Sequence, residues 1–185
     1  MKSLILTGPS GSGKTTLAHI LLEKHMQLTF SISATTRPPR MGELNGYHYY
    51  FMTQEEFEIE INRGGFVEWE RIFAGHYYGT LLREIERIQA LQKIPLFVKD
   101  VKGALSLKKA LGKEALTVFI LPPSIEELER RLAARGVNNP AEVEERLKRA
   151  EEELSFLPQF DFIAYNEDIT KASARLEWLI HRYLL

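Results

Sequence analysis

Leu4-Ile5-Leu6-Thr7-Gly8-Pro9-Ser10-Gly11-Ser12-Gly13-Lys14-Thr15-Thr16 joins an apolar run to a glycine-rich turn and then to a helical pattern. Leu4–Thr7 reads as a short buried strand, and Thr15–Lys24 as a helix with Leu17, Ile20 and Leu21 on one face. In that context the spacing G-x-x-x-x-G-K-[ST] marks a phosphate-binding loop. Glycines admit positive φ angles, so successive N–H groups point into one concavity. The concavity opens on a helix N-terminus, whose partial positive charge attracts an anion. Lys14 can reach the β- and γ-phosphates of a nucleotide, and the Thr15 hydroxyl can ligate Mg²⁺. The run Gly8–Thr16 is therefore a candidate nucleoside triphosphate site.

Outward from this loop, short apolar strands alternate with longer helical patterns, which predicts an α/β fold with a parallel sheet covered by helices on both faces. Further strands are expected at Leu28–Ser33, Leu96–Asp100, Thr117–Leu121 and Phe160–Tyr165. Further helices are expected at Leu81–Leu91, Gly103–Leu111, Ser124–Arg135, Ala141–Phe156 and Ile169–Tyr183. Ser124, three residues before Glu127, forms a capping box, and Pro140 opens the next helix. From about Ala34 to Thr80 the rhythm breaks into a segment rich in Pro, Gly and aromatic residues. Strand-like stretches at His48–Met52, Phe66–Ile72 and His76–Gly79 surround one short helix, Gln54–Ile61, so the segment reads as a small α/β insertion. Gly136-Val137-Asn138-Asn139-Pro140 reads as a lid tip. One domain over 1–185 is expected, with core 1–33, 81–123 and 157–185, insertion 34–80 and lid 124–156.

Composition excludes several classes. The 185 residues carry 24 Lys and Arg against 25 Asp and Glu, a net charge of -1, so no electrostatic footprint for nucleic acid or an anionic membrane is present. Any positive site must be a local cluster. No cysteine is present, which excludes disulfides and thiolate metal sites and fits the cytoplasm. No apolar run reaches the ~20 residues of a membrane span, and the first residues read as a strand rather than a signal peptide.

A second cluster opens the insertion. Ser33-Ala34-Thr35-Thr36-Arg37-Pro38-Pro39-Arg40 follows a strand end, where open parallel sheets bind ligands. The prolines stiffen the spacing of Arg37 and Arg40, two guanidinium forks suited to a phosphate. Tyr49 and Tyr78 could add hydroxyl donors. On their own these arginines fit solvated surface equally well. Phe66-Val67-Glu68-Trp69-Glu70 alternates like a half-buried strand with Glu68 opposite Val67 and Trp69, so Glu68 alone reads as an exposed carboxylate. Tyr77 and Tyr78 alone read as core.

The runs GPSGSGKTT (8–16), SISATTRPPRMGELNGYHYYF (31–51), FVEWERIFAGHYYGT (66–80), PPSIEELERRLAARG (122–136) and FDFIAYNEDITKA (160–172) together resemble the guanylate kinase family, in its order and spacing. Most specific is the pair Arg37 and Arg40 followed by Gly42-Glu43 and Gly46. The resemblance covers essentially the whole chain. It implies the fold of P-loop nucleotide kinases and ATP-dependent phosphoryl transfer to GMP, with dGMP as a second acceptor, Mg²⁺ as cofactor, and no nucleic acid, membrane or obligatory protein partner. Arg37, Arg40, Tyr49 and Tyr78 would grip the GMP phosphate. Glu68 would accept from guanine N1–H and the 2-amino group, with Ser33 and Thr80 addressing the rest of the base. Asp100 would face the acceptor and, through water, the metal.

The resemblance gives Lys14, Arg40, Arg131 and Arg146 catalytic parts and sets Arg135 and Asn166 on the ATP side. On spacing alone Arg131, paired with Glu127 at i,i+4, belongs to a solvated face. The acceptor phosphate is already anionic at neutral pH because its second pKa is about 6, so no general base is required. Two departures from the family stand out: Val98 where a second acid is usual, and Lys102 where glutamine is common. A non-catalytic binding module of scaffold proteins would show a degraded phosphate loop, and a kinase for another phosphorylated acceptor would not place Glu68 and Ser33 in base-reading positions.

Overall fold

Leu4 and Leu6 turn to one side of strand β1 (Ser3–Thr7) and Ile5 to the other, and all three are fully buried. A strand apolar on both faces needs cover on both. The computed structural model, which describes residues 1–71, 75–134 and 140–185, supplies it. On the Leu4 and Leu6 side lie helices α1 (Lys14–Lys24) and α7 (Ile169–Tyr183), through Leu17, Leu21, Leu176, Leu179 and Ile180. On the Ile5 side lie α3 (Leu82–Ala90) and α4 (Val101–Leu111), through Ile85, Val101, Ala104 and Leu107.

The central sheet is parallel and five-stranded, in the order β2 (Leu28–Phe30), β7 (Ile94–Val98), β1, β8 (Ala115–Leu121), β9 (Phe162–Tyr165). A second sheet is mixed, in the order β4 (Tyr50–Phe51), β3 (Ala34–Thr35), β6 (Tyr77–Leu81), β5 (Phe66–Arg71). Its core is Phe57 of α2 (Gln54–Asn62), which stacks on Phe66 and Tyr77 with ring centroids 4.3 and 5.2 Å away. Thr53 caps α2 in a complete capping box with Glu56. Helices α5 (Ile125–Ala134) and α6 (Pro140–Leu154) follow β8, and Ser124 accepts from the Glu127 N–H as its sequence position predicts. No helix among the described residues is long and apolar enough to cross a membrane.

Several boundaries differ from expectation. β2 stops at Phe30: the Ser31 N–H still bonds Leu96 O, the β7 residue opposite Phe30, but the Ile32 N–H turns away to the Glu84 carboxylate. β7 ends at Val98 rather than Asp100, since Asp100 is the N-cap of α4 and accepts from Gly103 N–H at 2.9 Å. The expected 48–52 strand is only Tyr50–Phe51, and β9 starts at Phe162 after a 3-10 turn over Leu157–Gln159. Ala34–Thr35, read as a ligand loop, forms the two-residue strand that joins β4 to β6. Glu68 is the plainest correction. The register slips between Phe66 and Glu68, so Glu68 is 7% exposed while Trp69 is 42% exposed. Such a bulge re-aims side chains that simple alternation would place elsewhere. Arg135, Ile72 and the Gly136–Asn139 lid tip lie outside the described residues.

Candidate active site

The C-terminal ends of the adjacent strands β2, β7 and β1 carry Ser33, Asp100 and the glycine loop into one cavity of about 300 Å³. Its lining includes Ser10, Gly11, Gly13, Lys14 and Thr15 from the loop. Ser33, Tyr49, Glu68 and Tyr78 line it from the insertion side, and Val98, Lys99, Asp100 and Gly103 from the end of β7 and the start of α4. Ligands of open α/β sheets bind at such strand ends.

The loop is shaped by two close approaches. Gly8, at φ 130°, lies so near the Ile120 carbonyl that a Cβ would collide with it. Gly13, at φ 97°, caps α1, and a Cβ there would collide with Asn166 Nδ2. That amide is buried and donates to Ser12 O at 2.7 Å. Asn166 therefore braces the loop from behind. Lys14 Nζ donates to the carbonyls of Gly8 and Pro9 at 2.6 and 2.8 Å, while Thr15 and Thr16 are exposed at the start of α1.

The Arg37 guanidinium makes a two-pronged contact with Glu43, at 2.9 and 2.8 Å, and lies over the Tyr49 and Phe51 rings. The Glu43 hydrogen bonds raise the Arg37 pKa, and Arg37 in turn holds the Glu43 carboxyl below its ordinary value. Glu43 also accepts from the Arg40 backbone N–H at 2.7 Å, leaving the Arg40 side chain exposed. Tyr49 and Tyr78 meet edge to face, centroids 6.1 Å apart, and burial followed by the neighbouring Tyr78 pushes the Tyr49 hydroxyl up. Contrary to its plain core reading, Tyr78 lines the cavity; Tyr77 packs in the insertion core as expected.

Glu68 Oε1 accepts from Thr80 Oγ1 at 2.7 Å and pairs with Lys99 Nζ at 2.8 Å. Lys99 also donates to Ser33 Oγ at 3.0 Å. Ser33, Glu68 and Thr80, far apart in sequence, thus form one polar cluster with a lysine that sequence reasoning passed over. Its signal was faint: a cation following the apolar run Leu96-Phe97-Val98.

Three arginines reach the site from the helices after β8. Arg131 pairs with Glu127 at 2.7 Å and donates to Asn166 O at 3.3 Å. Arg146 donates to Ser10 Oγ at 3.3 Å. Arg149, not foreseen, contacts Asp100 Oδ2 and Glu153, both at 3.0 Å. Its position three residues after Arg146, on the same helical face, was the available signal. Burial raises the Glu153 pKa against the opposing pull of Arg149.

Comparison with known proteins decides the family. The Guanylate kinase family profile matches residues 1–183. The chain belongs to the guanylate kinase family. It is 43% identical over 183 residues to a guanylate kinase of Bacteroides thetaiotaomicron, covering 99% of this chain and 90% of that protein. A guanylate kinase of Chlorobium chlorochromatii is 45% identical over 183 residues, covering 99% and 96%. The crystal structure of guanylate kinase from Anaplasma phagocytophilum superposes with a TM-score of 0.80 at 31% identity, covering 100% of this chain and 87% of that one. Membership of the guanylate kinase family makes the chain a nucleoside monophosphate kinase with the P-loop kinase fold, as the sequence led one to expect.

Proposed function

We propose that this cavity transfers the γ-phosphoryl group of ATP to GMP, giving ADP and GDP. The observation that carries the proposal is the shared lining: the phosphate loop opens into one space with Ser33 and Glu68, the latter backed by Thr80. An oxygen of the acceptor phosphate forms the new bond to the γ-phosphorus as the bond to the β–γ bridging oxygen breaks. With a second pKa of about 6, that phosphate is anionic at neutral pH. Catalysis is then positioning and charge neutralisation along an in-line path.

On the donor side the Gly8–Thr16 amides hold the ATP phosphates, and Lys14 exchanges its loop carbonyls for the β- and γ-oxygens. Arg131, Arg135 and Arg146 add positive charge from the lid, and Asn166 keeps the loop in shape. On the acceptor side Arg37, preset by Glu43, joins Arg40, Tyr49 and Tyr78 on the GMP phosphate. Glu68 receives guanine N1–H and the 2-amino group, while Ser33, Thr80 and Asp100 complete the nucleotide's polar contacts. Adenine lacks the 2-amino group and turns a lone pair on N1 toward Glu68; a polar site of this kind rejects such a mismatch by about 10⁴-fold or more. dGMP keeps the base edge and should also serve.

The donor set fits Mg²⁺. A nucleotide-borne Mg²⁺ needs only one or two protein ligands, and the exposed Thr15 hydroxyl on the cavity is one, with Asp100 acting through water. Held there by Thr15 and, through water, Asp100, the metal would supply positive charge that offsets the negative charge of the phosphates. We place the reaction in the cytoplasm, with the two nucleotides as partners and no obligatory protein.

The test is ADP release with ATP and Mg²⁺, comparing GMP, dGMP, AMP and UMP. GMP-dependent turnover is expected; its absence would sink the proposal. Glu68→Gln should lower kcat/KM for GMP by at least about 10-fold with the ATP KM little changed. Equal losses on both substrates would remove Glu68 from base reading.

A further inference from the structure

Lys99 is 8% exposed at its side chain, yet it stands on the lining of the cavity. Its ammonium lies 2.8 Å from Glu68 Oε1 and 3.0 Å from Ser33 Oγ, joining a strand of the insertion to the residue just before it. Glu68 Oε1 thereby takes two donors, Lys99 and Thr80, while Oε2 receives no hydrogen bond from the described residues. A buried carboxylate without a countercharge is costly, and a neutral base alone supplies none. Lys99 supplies it and remains next to the atoms that a base edge must meet. An ammonium has three donors and no acceptor.

We propose that Lys99 is a specificity-determining residue that donates to the 6-oxo group of the acceptor base while holding Glu68 for the N1–H and 2-amino groups beside it. This inference rests on the reading of Ser33, Glu68 and Thr80 as the base-binding cluster. The arrangement follows from the order of atoms on a purine edge. In guanine the acceptor O6 adjoins the donor N1–H, so a cation adjoining a carboxylate is the complementary pair. A 6-amino purine would set its own N–H against the ammonium and offer no acceptor to the donor that Glu68 and Ser33 leave over, a positive element of rejection beyond the loss of contacts to Glu68.

The discriminating probe is 6-thio-GMP, which keeps N1–H and the 2-amino group and replaces only O6 by sulfur, a weak acceptor. Wild-type protein should prefer GMP over 6-thio-GMP in kcat/KM by about 10-fold or more, the value expected for one hydrogen bond to a charged group. Lys99→Met keeps the buried stem and removes the donor. It should lower kcat/KM for GMP by about 10- to 100-fold, mainly through KM, leave the KM for ATP within about twofold, and bring the GMP to 6-thio-GMP ratio close to one. A merely structural lysine would lower both substrates alike, and an unchanged ratio in Lys99→Met overturns the proposal. Should Lys99→Met fail to fold, the wild-type ratio decides, and a value below about threefold overturns it. Failure of the underlying reading looks different: GMP itself would not be turned over by the wild-type protein.

Discussion

Gly13→Ala brings together backbone strain and a steric collision in the phosphate loop. Gly13 sits at φ 97°, ψ 11°, outside the region where an L side chain is comfortable, and this costs alanine about 1–2 kcal/mol. Its Cβ would also collide with Asn166 Nδ2, so the amide must leave Ser12 O. Losing that buried hydrogen bond costs about 1–3 kcal/mol more. The sum, about 2–5 kcal/mol, corresponds to a fall in Tm of roughly 4–20 °C for a chain of this size. Thermal unfolding by circular dichroism measures it directly. Asn166→Ala alone forfeits the hydrogen bond, and the double variant no longer has the collision. The double variant should therefore be less destabilised than the sum of the singles, by about 1–2 kcal/mol. A Gly13→Ala protein melting within about 2 °C of wild type, or strictly additive losses, would refute the claim that Asn166 shapes the loop.

Glu84 is fully buried and accepts from Ile32 N–H and Tyr50 OH as well as twice from Arg87, tying β2's end to the insertion. Glu84→Ala should cost about 2–4 kcal/mol, less than a wholly buried pair because Arg87 is 39% exposed; urea unfolding checks it, and a loss below about 1 kcal/mol would contradict the account. His25, buried against His181 with ring centroids 5.3 Å apart, has its pKa lowered by burial first and by His181 next. The neutral form is then the native one, so its contribution is complete above the unfolded pKa of about 6.5 and is lost as pH falls through the lower folded value. His25→Leu should flatten the decline in Tm between about pH 7 and 5.5; an unchanged slope would mean another group titrates there.

Much of the fold was legible because its signals are local. Alternating strand and helix periods gave the parallel sheet, and α7 runs over Ile169–Tyr183 as its periodicity predicts. What escaped were places where backbone groups find partners outside their own element. Ile32 leaves the strand pattern for the Glu84 carboxylate, and Ala34–Thr35 is a strand only because Tyr50 and Tyr78 stand beside it. Arg149 and Lys99 carried no motif; each matters through a carboxylate far off in sequence, Asp100 and Glu68.

By itself the sequence determined that a triphosphate loop opens the chain, because glycine spacing, lysine and helix start lie within Gly8–Thr16 and need no distant partner. It also supplied the chemistry of a second site in Arg37, Arg40 and Glu68. Only the tertiary structure decided that the phosphate loop and Glu68 meet in one cavity, and that Glu68 turns inward toward Lys99 rather than out to water. The reason is physical: a bulge in β5 reverses the expected alternation, and the adjacent ends of β2, β7 and β1 set Ser33, Asp100 and Lys14 around a common space.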